Sequence, residues 1–207
     1  MNKFIFAILV LPFLVSCATM SEDECRTADW QLIGFSDGTK GYAVSRISDH
    51  QKACAKVGVS PDLSAYKQGR DEGLLDYCRP ATGYRLGARG GSFNAVCPVQ
   101  LEAEFSEGYR YGKAIYLKKS ELNSLKRDLV KQQDEHALIG EMIEHKERRL
   151  VQDGIPKDKR VRLLEQIKEL GADLIYSEER LISLQREMDG AGYELERLKR
   201  NNPYLKY

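Results

Sequence analysis

The sequence predicts an all-α protein: a small disulfide-stapled helical domain followed by a long antiparallel helical hairpin, a coiled coil. Three observations predict it. Leu163, Ile167, Leu170, Leu174, Ser177, Leu181, Leu184, Met188, Ala191, Leu195 and Leu198 alternate steps of four and three residues, a sustained heptad seam in which only Ser177 is polar. Earlier in the chain an aromatic residue followed by two glycines four apart recurs, and glycines at that spacing share a helix face. Four cysteines, Cys25, Cys54, Cys78 and Cys97, lie in the same early half, and none lies beyond it.

Residues 1–16 read as a lipoprotein signal peptide. A charged start, Met1-Asn2-Lys3, precedes a short apolar run from Phe4 to Val15 and the small Ser16. That run is too short to span a bilayer. The segment Leu14-Val15-Ser16-Cys17 resembles the bacterial lipobox. By that resemblance Cys17 is the lipid-modified first residue of the mature chain, carrying several acyl chains such as palmitate. At about 0.8 kcal/mol per buried methylene, more than one chain gives stable anchoring. Residues 17–24 form the tether. Ala18 replaces the aspartate that serves as an inner-membrane retention signal. The expected location is therefore the bacterial outer membrane, lipid-anchored and facing the periplasm.

Residues 25–112 form the cysteine- and glycine-rich helical domain. Its repeat reads Trp30, Gly34, Gly38; Tyr66, Gly69, Gly73; Tyr84, Gly87, Gly91; and Phe105, Gly108, Gly112. Each mid-helix glycine costs about 1 kcal/mol against alanine. Recurrence of that cost points to close backbone approach between helices, with Gly90-Gly91 as a true break. The first helix runs from Ala28 to Val57, with a kink at Ser36-Asp37-Gly38, and Gly58 ends it. Pro61 and Asp62 open a second helix that ends at Tyr77-Cys78 before Pro80. A third covers Gly83 to Arg89, and Cys97-Pro98 starts a long one. If the first two helices form an antiparallel hairpin, Cys25 and Cys54 lie at opposite ends of one helix, as do Cys54 and Cys78. The pairing left is Cys25 with Cys78 and Cys54 with Cys97.

Residues 113–207 form the hairpin arm. Leu122, Leu125, Leu129, Gln132, His136, Ile139, Ile143, Lys146 and Leu150 supply its first seam. Asp153-Gly154-Ile155-Pro156 gives a tip at 153–157, because glycine stops a helix and proline restarts one. With Ile155 as pivot, Leu198 comes near Gly112. If the seam pairs between molecules, the polar positions Gln132, His136 and Lys146 set register or oligomeric state; the alternative is that they face water. Gln132, His136 and Ile155 are the candidate partner contacts.

Net charge is +1 with 30% charged residues of mixed sign, and no basic block of the nucleic-acid-binding kind occurs. No cofactor motif is present. Arg89-Gly90-Gly91-Ser92-Phe93-Asn94 lacks the strand and lysine of a phosphate-binding loop. The cysteines lack any Cys-x-x-Cys pair, so no metal site is expected. His50 reads as a helix-surface or packing residue, and Asp29, Asp37 and Arg70-Asp71-Glu72 as a solvated face. No catalytic constellation is found, so no enzymatic activity is expected. Tyr42, Tyr66, Tyr77, Tyr84, Tyr109, Tyr111 and Tyr116 could line a glycan groove, but core and helix packing is the favoured reading of these tyrosines.

Asp29-Trp30, Gly34, Asp37-Gly38, His50-x-x-x-Cys54, Tyr66-x-x-Gly69-Arg70-x-x-Gly73-Leu74-x-x-Tyr77-Cys78, Gly90-Gly91-Ser92-Phe93, Val96-Cys97-Pro98 and Tyr109-x-x-Gly112 together resemble a family of bacterial lipoproteins known as domain of unknown function 2799, over residues 25–116. The resemblance implies export and the cysteine framework, and no catalytic residue. The expected function is a non-enzymatic interaction or scaffold role in the envelope, acting on a protein partner through the coiled-coil arm. The alternative is an envelope ligand-binding module, for peptidoglycan or another glycan, in the tyrosine-rich first half.

Overall fold

A computed structural model describes residues 20–206, and among them every regular element is helical. The helices are α1 (Glu22–Arg26), α2 (Trp30–Thr39), α3 (Ile47–Cys54), α4 (Leu63–Tyr77), α5 (Pro80–Ala88), α6 (Val99–Leu150) and α7 (Lys157–Arg200), with short 3₁₀ turns between and after them. The signal peptide and Cys17 lie outside the described residues. No helix among the described residues is long and apolar enough to cross a membrane.

The chain divides into two compact units. One holds the described residues up to Cys78 together with Asn94–Pro98; the other holds Arg79–Phe93 and Val99 onward. A division at residue 112 falls inside α6, which runs unbroken for 52 residues. The second unit therefore takes α5 together with the arm.

In the first unit the expected continuous helix from Ala28 to Val57 is broken. Helix α2 ends at Thr39, and Gly41 takes a positive φ of 71°. The chain reverses there, so α3 brings His50 back to Asp37 and Cys54 back to Cys25. The disulfides are Cys25–Cys54, with Cα atoms 5.3 Å apart, and Cys78–Cys97, at 5.7 Å. This corrects the pairing expected from sequence, which assumed that Cys25 and Cys54 were held apart by one rod. Met20, Cys25 and Cys54 form a small core, with Trp30, Ile33 and Val57 packed on it.

Helices α2 and α4 pack in parallel, not as the expected antiparallel hairpin. A Cβ on Gly34 would strike the Tyr66 carbonyl, and one on Gly38 the Arg70 carbonyl. Gly69 and Gly73 press in turn on the carbonyls of Gln31 and Phe35. Partner positions rise together along both helices, which is the parallel sense. Small residues let the backbones meet, and Cα–H groups then face carbonyl oxygens.

The second unit repeats this design. Gly83 and Gly87 press on the carbonyls of Phe105 and Tyr109, and Gly108 and Gly112 on those of Pro80 and Tyr84. The pair in the third repeat is thus Gly83 and Gly87, one step earlier than the sequence register of Gly87 and Gly91. Gly90, at φ 79°, ends α5 as Gly41 follows α2. The ring of Tyr77 lies against Gly41, and the ring of Tyr116 against Gly90. The chain thus contains two copies of one parallel helix pair.

Beyond the second pair, α6 and α7 form the hairpin. Each of the seam residues expected on α7 is buried or half-buried, and each on α6 half-buried. Gln132 Nε2 donates to Ser177 Oγ at 3.0 Å, and Lys146 Nζ to Gln166 Oε1 at 2.7 Å, which fixes the register. At its base Tyr111 donates to the Asn201 carbonyl, and Tyr84 stacks on Tyr204.

Candidate functional site

The duplication isolates what is unusual in the first unit. Aligning the copies on their glycines places Asp37 opposite Leu86 and Tyr66 opposite Phe105. The second copy is built with apolar residues at both positions. In the first, Asp37 is 6% exposed, His50 4% and Tyr66 0%. Close packing of a parallel pair therefore does not require polar groups there.

These three side chains form one buried network. Asp37 Oδ2 accepts from His50 Nε2 at 2.8 Å and from the Tyr66 hydroxyl at 2.9 Å. The edge of the His50 ring meets the Tyr66 ring. Burial first, then the hydrogen bond and charge of Asp37, pushes the Tyr66 phenol well above the ordinary tyrosine range. Tyr66 is thus a fixed donor at neutral pH. His50 Nδ1 is buried with no partner among the described residues, and so is Arg46 Nε. Unpaired buried polar atoms of this kind cost about 1–3 kcal/mol each.

Asp37 and His50 line a cleft of about 480 Å³ in the first unit. One face of α2 runs along it through Asp29, Leu32, Ile33, Ser36, Asp37 and Lys40, the spacing of a single helical stripe. The stretch from Met20 to Ala28 contributes at one end, and Tyr42, Arg46 and His50 at the other. Local sequence places these parts. Ser21 and Glu24 form a capping box on α1, and Asp29 caps α2 by accepting from Leu32 N. The hydrogen bonds from Ser21, backbone first, hold the Glu24 carboxyl below its ordinary value. Arg46 lies over the ring of Tyr42, whose carbonyl accepts from Arg70 Nε at 2.9 Å.

The reading of Asp37 as part of a solvated face is corrected: the reversal after Gly41 buries it beneath α3. His50 does pack, as expected, but on a carboxylate. The missed signal was the repeat register: with Gly83 and Gly87 as the third pair, Asp37 and Tyr66 stand out as polar replacements for Leu86 and Phe105.

The other candidates fall elsewhere. Gln132 is committed to Ser177 inside the hairpin, while His136 is half-buried on the seam with Nδ1 unpartnered. Ile155 is half-buried in a hollow of about 410 Å³ at the tip, beside Arg149, Lys159 and Arg162. The fully outward apolar residue there is Val151, 79% exposed, which the sequence reading missed. The four cysteines are consumed by disulfides. The tyrosines do not converge on one groove: Tyr109 donates to the Gly91 carbonyl, Tyr77 and Tyr116 cover glycines, and only Tyr42 of those named lines the cleft. Among the described residues no group of three His, Cys, Asp or Glu is placed to hold a metal ion.

Residues 29–114 match the model of a family described as protein of unknown function, DUF2799. That span covers both parallel helix pairs and stops at the root of the arm. No curated protein and no solved structure matches the sequence.

Proposed function

From a helix-pair domain matched to a family without an assigned activity, and an arm built on it, we propose an exported, lipid-anchored protein of the bacterial outer membrane. It faces the periplasm and works as a non-enzymatic interaction element through the arm. The leader and the lipobox-like Leu14-Val15-Ser16-Cys17 support export and anchoring. Two disulfides suit an oxidising compartment. One observation carries the interaction role: the hairpin completes its own seam yet presents an apolar, basic end. Val151, Val161 and Leu164, close to the tip in sequence, are 79%, 46% and 54% exposed, and the tip hollow is lined by Arg149, Lys159 and Arg162 with Asp153 as its one carboxylate. Such an end suits an envelope protein with an acidic, apolar-centred surface.

The test is in-cell photocrosslinking from position 151, with and without Leu164→Asp. A discrete protein adduct that is lost in the variant supports the arm as the working part. An adduct-free probe at the tip removes it. A second reading, a ligand-binding module in the first unit, is favoured by the cleft over Asp37 and His50.

A further inference from the structure

The cleft has charges of opposite sign at its two ends. Glu24 and Asp29 flank the start of α2, and Lys40 and Arg46 flank its end. From Asp29 to Lys40 the helix rises about 16 Å, at about 1.5 Å per residue. Between the ends lie apolar Leu32, 63% exposed, and Ile33, then Ser36 and the buried Asp37, whose carboxylate is held by His50 and Tyr66.

Each end keeps unused bonding capacity. Asp29 spends one oxygen on the Leu32 amide, and Glu24 one on Ser21. A carboxylate has about four acceptor positions, so both can take a further donor. Among the described residues Lys40 Nζ donates to Ser36 Oγ at 3.0 Å, and Arg46 Nη1 lies 3.7 Å from Asp49 Oδ2. Both retain donors. Below, His50 Nδ1 and Arg46 Nε are buried and unpartnered, although the duplicated helix pair is built without polar groups at the positions of Asp37 and Tyr66.

We propose that this cleft binds a short extended peptide with free termini, its ammonium at Glu24 and Asp29 and its carboxylate at Lys40 and Arg46. The length fits: about 16 Å takes about five residues at about 3.3 Å each in extended form. Small apolar side chains of the peptide lie on Leu32 and Ile33. A neutral glycan would leave both charged ends unused, and a simple anion would meet Glu24 and Asp29 as like charges. The inference rests on the ligand-binding reading of the first unit and is independent of the arm.

Titration calorimetry of the full protein tests it, with penta-alanine, its N-acetyl form, its C-terminal amide, and chitobiose as a glycan probe. Penta-alanine should bind, and capping either end should weaken it about tenfold. Arg46→Gln should weaken penta-alanine by a similar factor and leave the amide unchanged. Asp29→Asn, which keeps the helix cap, should do the same for the amino end, sparing the N-acetyl form. Equal binding of free and capped peptides overturns the proposal. Chitobiose binding without peptide binding overturns it while leaving the ligand-binding reading intact. Silence from all four probes removes both.

Discussion

At the residue scale, Asp37 is the most consequential side chain in the first unit. It is buried, and two donors depend on it. Removing one member of such a network leaves the others unpaired, which costs more than exchanging the set for apolar groups. Asp37→Leu should therefore destabilise the first unit by about 3–5 kcal/mol in urea unfolding. Adding Tyr66→Phe, which recreates the Leu86 and Phe105 chemistry of the second copy, should recover part of that loss. A double variant worse than the single one would mean that the two copies are not equivalent. Tyr66 also sets an alkaline limit. Its folded pKa is raised, so the folded state holds this proton more tightly than the unfolded chain does. That contribution is complete below the ordinary tyrosine value of about 10 and is lost as pH rises beyond it. Unfolding measured in steps above pH about 10 should show falling stability, and Tyr66→Phe should reduce that slope.

At the element scale, the glycines inside helices separate into two classes. Those at Gly34, Gly38, Gly69, Gly73, Gly83, Gly87, Gly108 and Gly112 press on carbonyls of the partner helix, whereas Gly140 and Gly171 on the arm have open space where a Cβ would be. Alanine gains about 1 kcal/mol of helix propensity in either class. Only in the first class must the backbones separate. Gly34→Ala should therefore lower stability by about 1–3 kcal/mol through overpacking, while Gly171→Ala should raise it by up to about 1 kcal/mol. Thermal unfolding by circular dichroism reads both, and a stabilising Gly34→Ala would contradict the close approach. Glycine spacing in the sequence pointed to such contacts. It could not give their sense, because a helix face with two glycines looks alike to a parallel and an antiparallel neighbour. The third repeat was placed one step late because Tyr84 offered an aromatic at the repeated distance, while burial had selected Gly83.

At the scale of the whole molecule, the two units differ in covalent design. Both disulfides lie in the first, and so does Trp30, the single tryptophan, packed on the Cys25–Cys54 core. Reduction should lower the stability of that unit by about 2–5 kcal/mol per bridge. Trp30 fluorescence should therefore report an earlier transition in reductant, while the helical signal of the arm persists. A single transition shifting equally by both probes would show that the units unfold as one.

The sequence alone determined that the chain is helical, that its second half is a hairpin, and where the tip and the seam lie. These follow from local periodicity and from glycine and proline stop signals, which act over a few residues. That the end of α7 returns to the root of the arm, where Tyr111 reaches the Asn201 carbonyl, was legible for the same reason: the turn is short and the heptads count outward from it. Tertiary structure alone decided the parallel pairing of α2 with α4, the disulfide partners and the burial of Asp37. The Cys25–Cys54 bridge and the burial of Asp37 depend on the reversal after Thr39, where Gly41 adopts a left-handed conformation under the ring of Tyr77. That contact joins residues 36 apart in sequence, and a long-range steric fit of this kind leaves no periodic trace in the chain around it.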